Sequence, residues 1–513
     1  MPLNFNSKQL SLVVEDVSGT TPAGRVEFPD ALSDPLNAVL EVEDASMEPD
    51  IEFEEDNSNT ASITPGLQTP GRKRVNLNYT TKLRGTRGGT FAEGAPASML
   101  ALKSCMFTVK AGGYFTLSGA FVSATEGETN APFRHGELVR GNTGQFARVV
   151  HDTHDGATRL YFVDKTAAFP DGAVLVGLSS GAACIMGTTV DDAHYSAWPI
   201  SKPQKSITVT ALTAGQAAEL TVGAIIKGQV TKATGTIVVA AENGDTELIF
   251  EPAGGQFNDS EDLDKVGPGT AFASVATATA DPVFIQGQTV SARLNEDGLE
   301  TSGVGFSGDV TLSAEVSKPW TLEFNLTGGF STTGDLPLIT GIDFENTIPP
   351  TWEDAETSWG SNFDATTDGI DDEVTICVSE MTASMGNTAS ERLCANAPGG
   401  VAGSRVTSRE GTFTINPEAT PEAEYPWYEH LFSGKPNRFR TGVGSDEGNA
   451  FVASFCGVQT TSIPKSDSDG VMGLDVQANL TGGSNWNLNG ADVGIDSKGG
   501  DNEMVLTYLC IPA

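Results

Sequence analysis

An all-β fold is predicted for this chain by three observations. Its 513 residues include 58 Gly and 26 Pro, set among long Thr- and Ser-rich segments that favour strands and turns over helices. The stretch Asp309 to Thr327, DVTLSAEVSKPWTLEFNLT, alternates apolar and polar residues on both sides of Ser317-Lys318-Pro319, where a turn is needed. A short strand bracketed by glycines recurs through the middle of the chain. With 38% hydrophobic residues, the chain has enough apolar material for a β-sandwich or barrel core.

The alternation in the hairpin divides its side chains between two faces. Val310, Leu312, Ala314 and Val316, then Trp320, Leu322, Phe324 and Leu326, share one face. Thr311, Ser313, Glu315, Thr321, Glu323, Asn325 and Thr327 share the other, with no Lys or Arg among them. The apolar face can bury against a core, at roughly 1.5–3 kcal/mol for each large side chain covered. The polar face meets water, a partner chain or a solvent-filled channel.

Taken in order, residues 1–37 read as an N-terminal arm, because Pro, Gly and Asp recur at short intervals. Residues 38–124 open the core. They begin with two acidic strands, LEVED and DIEFEED, separated by Met47-Glu48-Pro49. Glu52, Glu54 and Glu55 lie in the second of these. A basic strand follows in GRKRVNLNYTTKLRGTRGG, which carries Arg72, Lys73, Arg74, Lys82, Arg84 and Arg87. The opposite charges suit pairing within one subunit, and suit equally well the two sides of a subunit contact. ASMLALKSCMF, residues 97–107, reads as a short buried helix.

Residues 125–200 and 201–282 read as two small inserted β modules. Phe133-Arg-His-Gly136-Glu-Leu-Val-Arg-Gly141 is echoed by Phe169-Pro-Asp-Gly172-Ala-Val-Leu-Val-Gly177 and again by Leu220-Thr-Val-Gly223-Ala-Ile-Ile-Lys-Gly228. A degraded fourth copy starts at Phe257. Each module is therefore built from two related halves. The core resumes over 283–513, with an acidic tract at 353–373, strands near 374–378, 411–415, 450–455, 473–480 and 504–510, and a helix over 421–432 stopped by Gly434.

Motifs that suggest chemistry lose to structural readings. Gly303-Val-Gly-Phe-Ser-Gly308 matches a dinucleotide fingerprint, but a strand follows it where a helix should open. Gly177-Leu-Ser-Ser-Gly181 matches a nucleophile elbow, but it occupies a turn of the repeat. His135, His151, His154, His194 and His430 read as solvated loop residues, because no third zinc ligand falls at a predictable spacing. Asp467-Ser-Asp469-Gly470 reads as a turn, since an EF-hand register would place Lys465 at its first ligand position. The six cysteines show no CxxC spacing and read as mostly buried thiols. No catalytic, cofactor or metal residues are assigned, and the chain is not expected to be an enzyme.

The formal charge of −37, from 67 acids against 30 bases, argues against stable binding to phosphates or to anionic membranes. No run of 18 or more apolar residues reads as a membrane span, and the N-terminus lacks the basic and apolar regions of a signal peptide.

The order of segments also resembles a family. The acidic strands, GRKRVNLNYTTKLRGT, FAEGAPASMLALKSCMF, the hairpin, SREGTFTINPE and EGNAFVASFCGVQTTSIPKSDSDGVMGLDVQANL follow one another as in the major tail (tail tube) proteins of long-tailed, siphovirus-like bacteriophages. The likeness covers 38–120 and 283–513. It implies a virion protein, assembled in the host cytoplasm, whose copies form hexameric rings. The rings would stack into a tube that passes DNA without specific binding, with a tape-measure protein and a tail terminator as partners. On this reading Thr311, Ser313, Glu315, Thr321, Glu323 and Asn325 face the lumen or an adjacent stave. Arg72, Lys73, Arg74, Lys82, Arg84, Arg87, Glu52, Glu54 and Glu55 then contact neighbouring subunits, and no cofactor is required. The alternative is a β-rich surface adhesin that binds glycans through the repeat modules, which a platform of exposed aromatic residues would favour.

Overall fold

The computed structural model describes residues 8–14, 39–54, 68–117 and most of 122–511. The larger breaks in that last span fall at 124–132, 134–137, 152–157, 178–181, 201–204, 267–273, 285–288, 339–346, 362–373 and 482–502. The fold is all-β: strands paired antiparallel dominate, and the helices are short.

The hairpin forms as its alternation requires. Leu299–Glu315 and Thr321–Asp335 pair with Val310 opposite Phe324 and Leu312 opposite Leu322. Val310, Leu312, Trp320, Leu322, Phe324 and Leu326 are buried in one large core. Val316 lies past the end of its strand and is 45% exposed, unlike the rest of its face. Strands extend the sheet on both sides. Thr69–Lys82 pairs along Thr321–Asp335, and Glu43–Glu54 pairs along Thr69–Lys82. On the other flank come Val378–Ser384, Gly411–Pro417 and Val476–Leu480. Ala450–Ser462 turns the sheet back over the core, because its first half pairs with Val505–Leu509 and its second half with Val476–Leu480. Phe413, Phe439, Phe455 and Trp359 pack ring on ring there.

Three expectations about the core need correction. The N-terminal arm contains a strand of the main sheet: Lys8–Val14 pairs residue for residue with Val290–Glu296 and buries Leu10 and Leu12. The two acidic strands are one strand of 12 residues, Glu43–Glu54, that runs through Met47-Glu48-Pro49. Pro49 is accommodated because this strand pairs on one side only, where the missing N–H costs no ladder bond. The late helix starts at Trp427 rather than 421, directly after Pro426, and ends as expected at Gly434 in the left-handed conformation (φ 63). The early helix covers Ala97–Ala101 and tightens into a 3₁₀ turn, Leu102–Cys105.

The repeat region builds closed barrels. Lys205–Thr208 to Val283–Phe284 belong to a separate seven-stranded sheet with its own core, including Ile207, Leu220, Ile226, Phe250 and Phe257. The first barrel closes through Leu138–Arg140, Phe146–Val149, Arg159–Val163, Phe107–Leu117, Ala182–Pro199 and Val174–Gly177, each paired to the next and the last to the first. This barrel starts well before residue 125, because Phe107–Leu117 is one of its staves and Phe115 sits in its core. Ala182–Pro199 also pairs with Val505–Leu509, so this barrel shares a strand with the main sheet.

The duplication is visible in the pairing. In both barrels the first strands of the two halves lie antiparallel, with Gly177 opposite Val139 and Gly228 opposite Leu263. A short helix, Ala214–Glu219, enters the second barrel on a capping box made by Thr213 and Gln216.

One buried carboxylate holds a turn of that second barrel. Glu261 is 2% exposed and accepts from Val230 N, Thr231 N, the Thr231 hydroxyl and Asn258 N. Burial alone would raise its pKa, but the donors from Thr231, Asn258 and Val230 together hold it below the ordinary carboxylate value. Its stabilising effect is therefore present above that ordinary value and lost as pH falls through the lower one. Replacing Glu261 with Ala strands these donors and is expected to cost about 2–3 kcal/mol. Denaturant unfolding measures the loss, and faster amide exchange at 228–231 localises it.

Candidate functional site

The polar face of the hairpin belongs to a much wider polar surface. Cross-strand partners share a face, so registers can be followed from strand to strand. One row runs Asn479, Thr412, Ser384, Thr311, Glu323, Thr80. The next runs Gln477, Thr414, Thr382, Ser313, Thr321, Lys82. At the usual strand spacing each row is about 24 Å wide. Glu315, Glu323 and Asn325 are exposed, and Thr311, Ser313 and Thr321 are half-buried between their neighbours. Every core-facing residue between them on the hairpin strands, from Val310 to Ala314 and from Leu322 to Leu326, is buried. The surface is rich in hydroxyl and amide groups, with carboxylates spread across it.

This face is not free of bases once its neighbours are included. Lys82 lies opposite Thr321 and Arg74 opposite Gly329, so the basic strand points these cations to the same side. They meet carboxylates of their own chain. Lys82 pairs with Glu43 at 2.5 Å, Arg72 with Glu52 at 2.6 Å, Arg74 with Asp50 at 2.6 Å, and Arg84 with Glu41. These pairs lie within one chain, which is one of the two arrangements compatible with the sequence. The Arg72 hydrogen bond keeps Glu52 below the ordinary carboxylate range. Solvent screening leaves exposed pairs of this kind little net effect on stability. Their larger effect is to neutralise the only dense basic stretch.

The remaining candidates of the charged set are dispersed. Lys73 falls on the alternate side of its strand, opposite Ile51, and lies against Gly399. Arg87 is exposed. Glu54 ends its strand opposite Thr69, and Glu55 lies outside the described residues.

A second hairpin, Asn387–Leu393 with Val401–Arg409, caps one end of the polar face. Glu391 reaches down to Arg74 at 2.8 Å and Arg72 at 3.2 Å. Ser404 Oγ accepts from Ser307 N at 2.9 Å and lies 2.8 Å from the Ser307 hydroxyl. The approach is close enough that a Cβ on Gly403 (φ +113) would sit 2.8 Å from Gly305 Cα. Gly303-Val-Gly-Phe-Ser-Gly308 is thus a strand segment over which another hairpin seats: Gly305 serves that contact, while Gly303 makes room for Phe306 and Val75 and Gly308 for the backbone of Asn325. Sequence reasoning missed Glu391 and Ser404. The glycine spacing was the one signal that pointed to a close approach.

The histidines differ from expectation. His194 is fully buried, with Nε2 3.0 Å from Gly113 O and 3.2 Å from Phe162 O. Its Nδ1 lies 2.9 Å from the Ser196 hydroxyl, which is 2.7 Å from the Thr507 hydroxyl. His151, also buried, lies 2.6 Å from Thr507 Oγ1 and 2.9 Å from Ser454 Oγ. The network joins the first barrel to core strands Ala450–Ser462 and Val505–Leu509. These two histidines are structural joints because their barrel shares a strand with the core, a relation that spacing along the chain does not reveal. His135 and His154 lie outside the described residues, as does the side chain of His430.

Among the described residues, no group of three or more His, Cys, Asp or Glu is placed to hold a metal ion. None of their helices is long and apolar enough to cross a membrane. Cys105, Cys184, Cys456 and Cys510 are buried free thiols, and Cys377 is exposed. No protein-family model matches the chain, and comparison with curated proteins gives no match.

Proposed function

We propose that the chain is a structural, non-enzymatic subunit of a phage tail tube. Copies form hexameric rings, the rings stack, and the polar face lines a channel for DNA on its way to the host cell. The observation that carries this reading is the continuous polar surface over a fully buried apolar face, on strands that extend well beyond the hairpin. Hydroxyl, amide and carboxylate groups give phosphate little to hold, and the cations at its margin are already paired, so a polyanion can slide past. Placing strand edges against neighbouring copies would also cover the open edge of Glu43–Glu54. The tape-measure and tail terminator partners rest on the family resemblance alone. The adhesin reading gains no support from the repeat modules, where no described aromatic side chain is exposed; the exposed Phe53 and Phe432 lie outside them.

Electron microscopy of the purified chain tests this directly. Hollow tubes or six-fold rings are expected, and monomers that persist at high concentration overturn the reading. The channel assignment has its own test in E323K/N325K, which adds cations to the middle of the polar face. Tubes of normal appearance with DNA delivery reduced at least about tenfold are expected, since each neutralised phosphate contact strengthens retention. Normal infectivity would remove the polar face from the channel.

A further inference from the structure

We propose that Ser454, His151, Thr507, Ser196 and His194 form one hydrogen-bond relay that takes up a single proton and shares it between the two histidines. The joint between the first barrel and the core then has two hydrogen-bonding states. The relay lies within one chain and does not depend on how copies assemble. Ser196 is directly opposite Thr507, and Val452, two residues before Ser454, is opposite Thr507 as well, so the three hydroxyls share one face. His194 enters on the strand of Ser196, just past a kink at Asp192 (φ 55) where the register with Phe107–Leu117 shifts. His151 comes from the barrel, two residues beyond Phe146–Val149. All five relay residues are buried.

One end of the neutral relay dictates the direction of every bond in it. His194 Nε2 faces two carbonyls, Gly113 O at 3.0 Å and Phe162 O at 3.2 Å, and a carbonyl only accepts. Nε2 therefore carries the proton, and Nδ1 accepts from the Ser196 hydroxyl at 2.9 Å. Ser196 has no second hydrogen, so Thr507 donates to it at 2.7 Å. Thr507 is left to accept from His151 Nε2–H at 2.6 Å. His151 Nδ1 is then bare and accepts from Ser454 at 2.9 Å. Both neutral rings are thus Nε2–H tautomers.

One added proton has two resting places, related by transfers along the relay. In the first state it sits on His151 Nδ1, and Ser454 turns to accept from it. In the second, His194 Nδ1–H donates to Ser196, Ser196 to Thr507, and Thr507 to His151 Nε2, while His151 Nδ1 keeps its proton. Passing from the first to the second breaks His151 Nε2–H, Thr507 O–H and Ser196 O–H. It forms a new O–H on Thr507, a new O–H on Ser196 and His194 Nδ1–H, so protons balance and each relay bond is kept with its direction reversed. A second proton would leave one hydroxyl hydrogen without an acceptor in the relay and would bury two like charges. The ionisable groups on the surrounding elements do not offset that. Tyr161 stands edge-on to both rings, with Arg159 beside it, Lys110 lies opposite Ser196 and Arg440 opposite Ser454. Asp192 is exposed and Cys510 is a buried thiol. Burial also disfavours the charge and holds His194 down to about 4.

Magic-angle-spinning nitrogen-15 spectra of the full chain, labelled at its five histidines, test this whether or not copies assemble. H151N and H194N identify the two ring signals by their loss. At pH 7 both rings are expected as Nε2–H tautomers. On acidification His151 Nδ1 is expected to gain a proton in full and His194 Nδ1 in part, with a common midpoint and one proton for the pair. T507V keeps the side-chain shape and removes the central hydroxyl. In it the two rings are expected to titrate separately, with midpoints at least about one pH unit apart. S196A breaks the relay nearer His194 and is expected to separate them likewise, which covers the case that T507V does not fold. An Nδ1–H tautomer of either neutral ring in the wild type overturns the relay and needs no variant. So do separate midpoints in the folded wild type, uptake of two protons there, or midpoints that stay together in a folded variant.

Discussion

Phe324→Ala is expected to lower stability by about 3–5 kcal/mol, the usual cost of removing a buried phenyl ring and leaving a cavity. Phe324 is fully buried at the centre of the hairpin. Its ring stacks on Tyr79 of the neighbouring strand, with centroids 4.8 Å apart and planes 13° from parallel. Three strands meet at this point, since Val310 is opposite Phe324 on one side and Tyr79 on the other. The same three strands carry Thr311, Glu323 and Thr80 on the polar surface above. A cavity below therefore loosens the alignment of the rows as well as the core. Equilibrium urea unfolding monitored by tryptophan fluorescence measures the loss. Phe324→Leu, which keeps most of the volume, is expected to cost less than half as much. Equal losses in the two variants would mean that the ring is not packed as described.

Acidification is expected to weaken the joint between the first barrel and the core. Burial pulls the His194 pKa down from 6.5 to about 4, with the contacts to Gly113 and Phe162 carbonyls opposing that shift. The unfolded chain then binds a proton at a higher pH than the folded one. Stability from the neutral ring is complete above about pH 6.5, falls between that value and about 4, and levels off below. Over the whole window the loss from this residue is about 3 kcal/mol. His194→Asn keeps a polar side chain but does not titrate in this range. It is expected to be less stable at neutral pH and to lack this component of the acid dependence. Unfolding free energies between pH 4 and 7 for both proteins decide it, and an identical slope would remove His194 as the cause.

Local periodicity was legible wherever one face is buried. The hairpin faces, the strands near 411–415 and 450–455, and the Gly434 stop all follow from residues close in sequence. The misses share a different origin. Pro49 reads as a break until the strand that carries it proves to be an edge. His151 and His194 read as loop residues until Ser196, Ser454 and Thr507 come together from distant strands. The run from Gly303 to Gly308 reads correctly as strand, but what Gly305 and Ser307 are for shows only when Gly403 and Ser404, nearly a hundred residues later, are found lying on them. Residues 8–14 were hidden by the turn formers around them, although Leu10 and Leu12 alternate correctly.

For the candidate site, the sequence by itself determined which residues of the paired hairpin strands face the core, because side chains on a strand alternate whatever surrounds them; Val316, past the strand end, escapes that rule. It also set the net charge of −37, which argues against holding phosphate. Only the tertiary structure decided which strands adjoin the hairpin, and with them the width of the polar surface. It also decided that the acidic and basic strands neutralise each other within one chain. Strand order depends on contacts between residues far apart in sequence, and composition and alternation carry no information about those contacts.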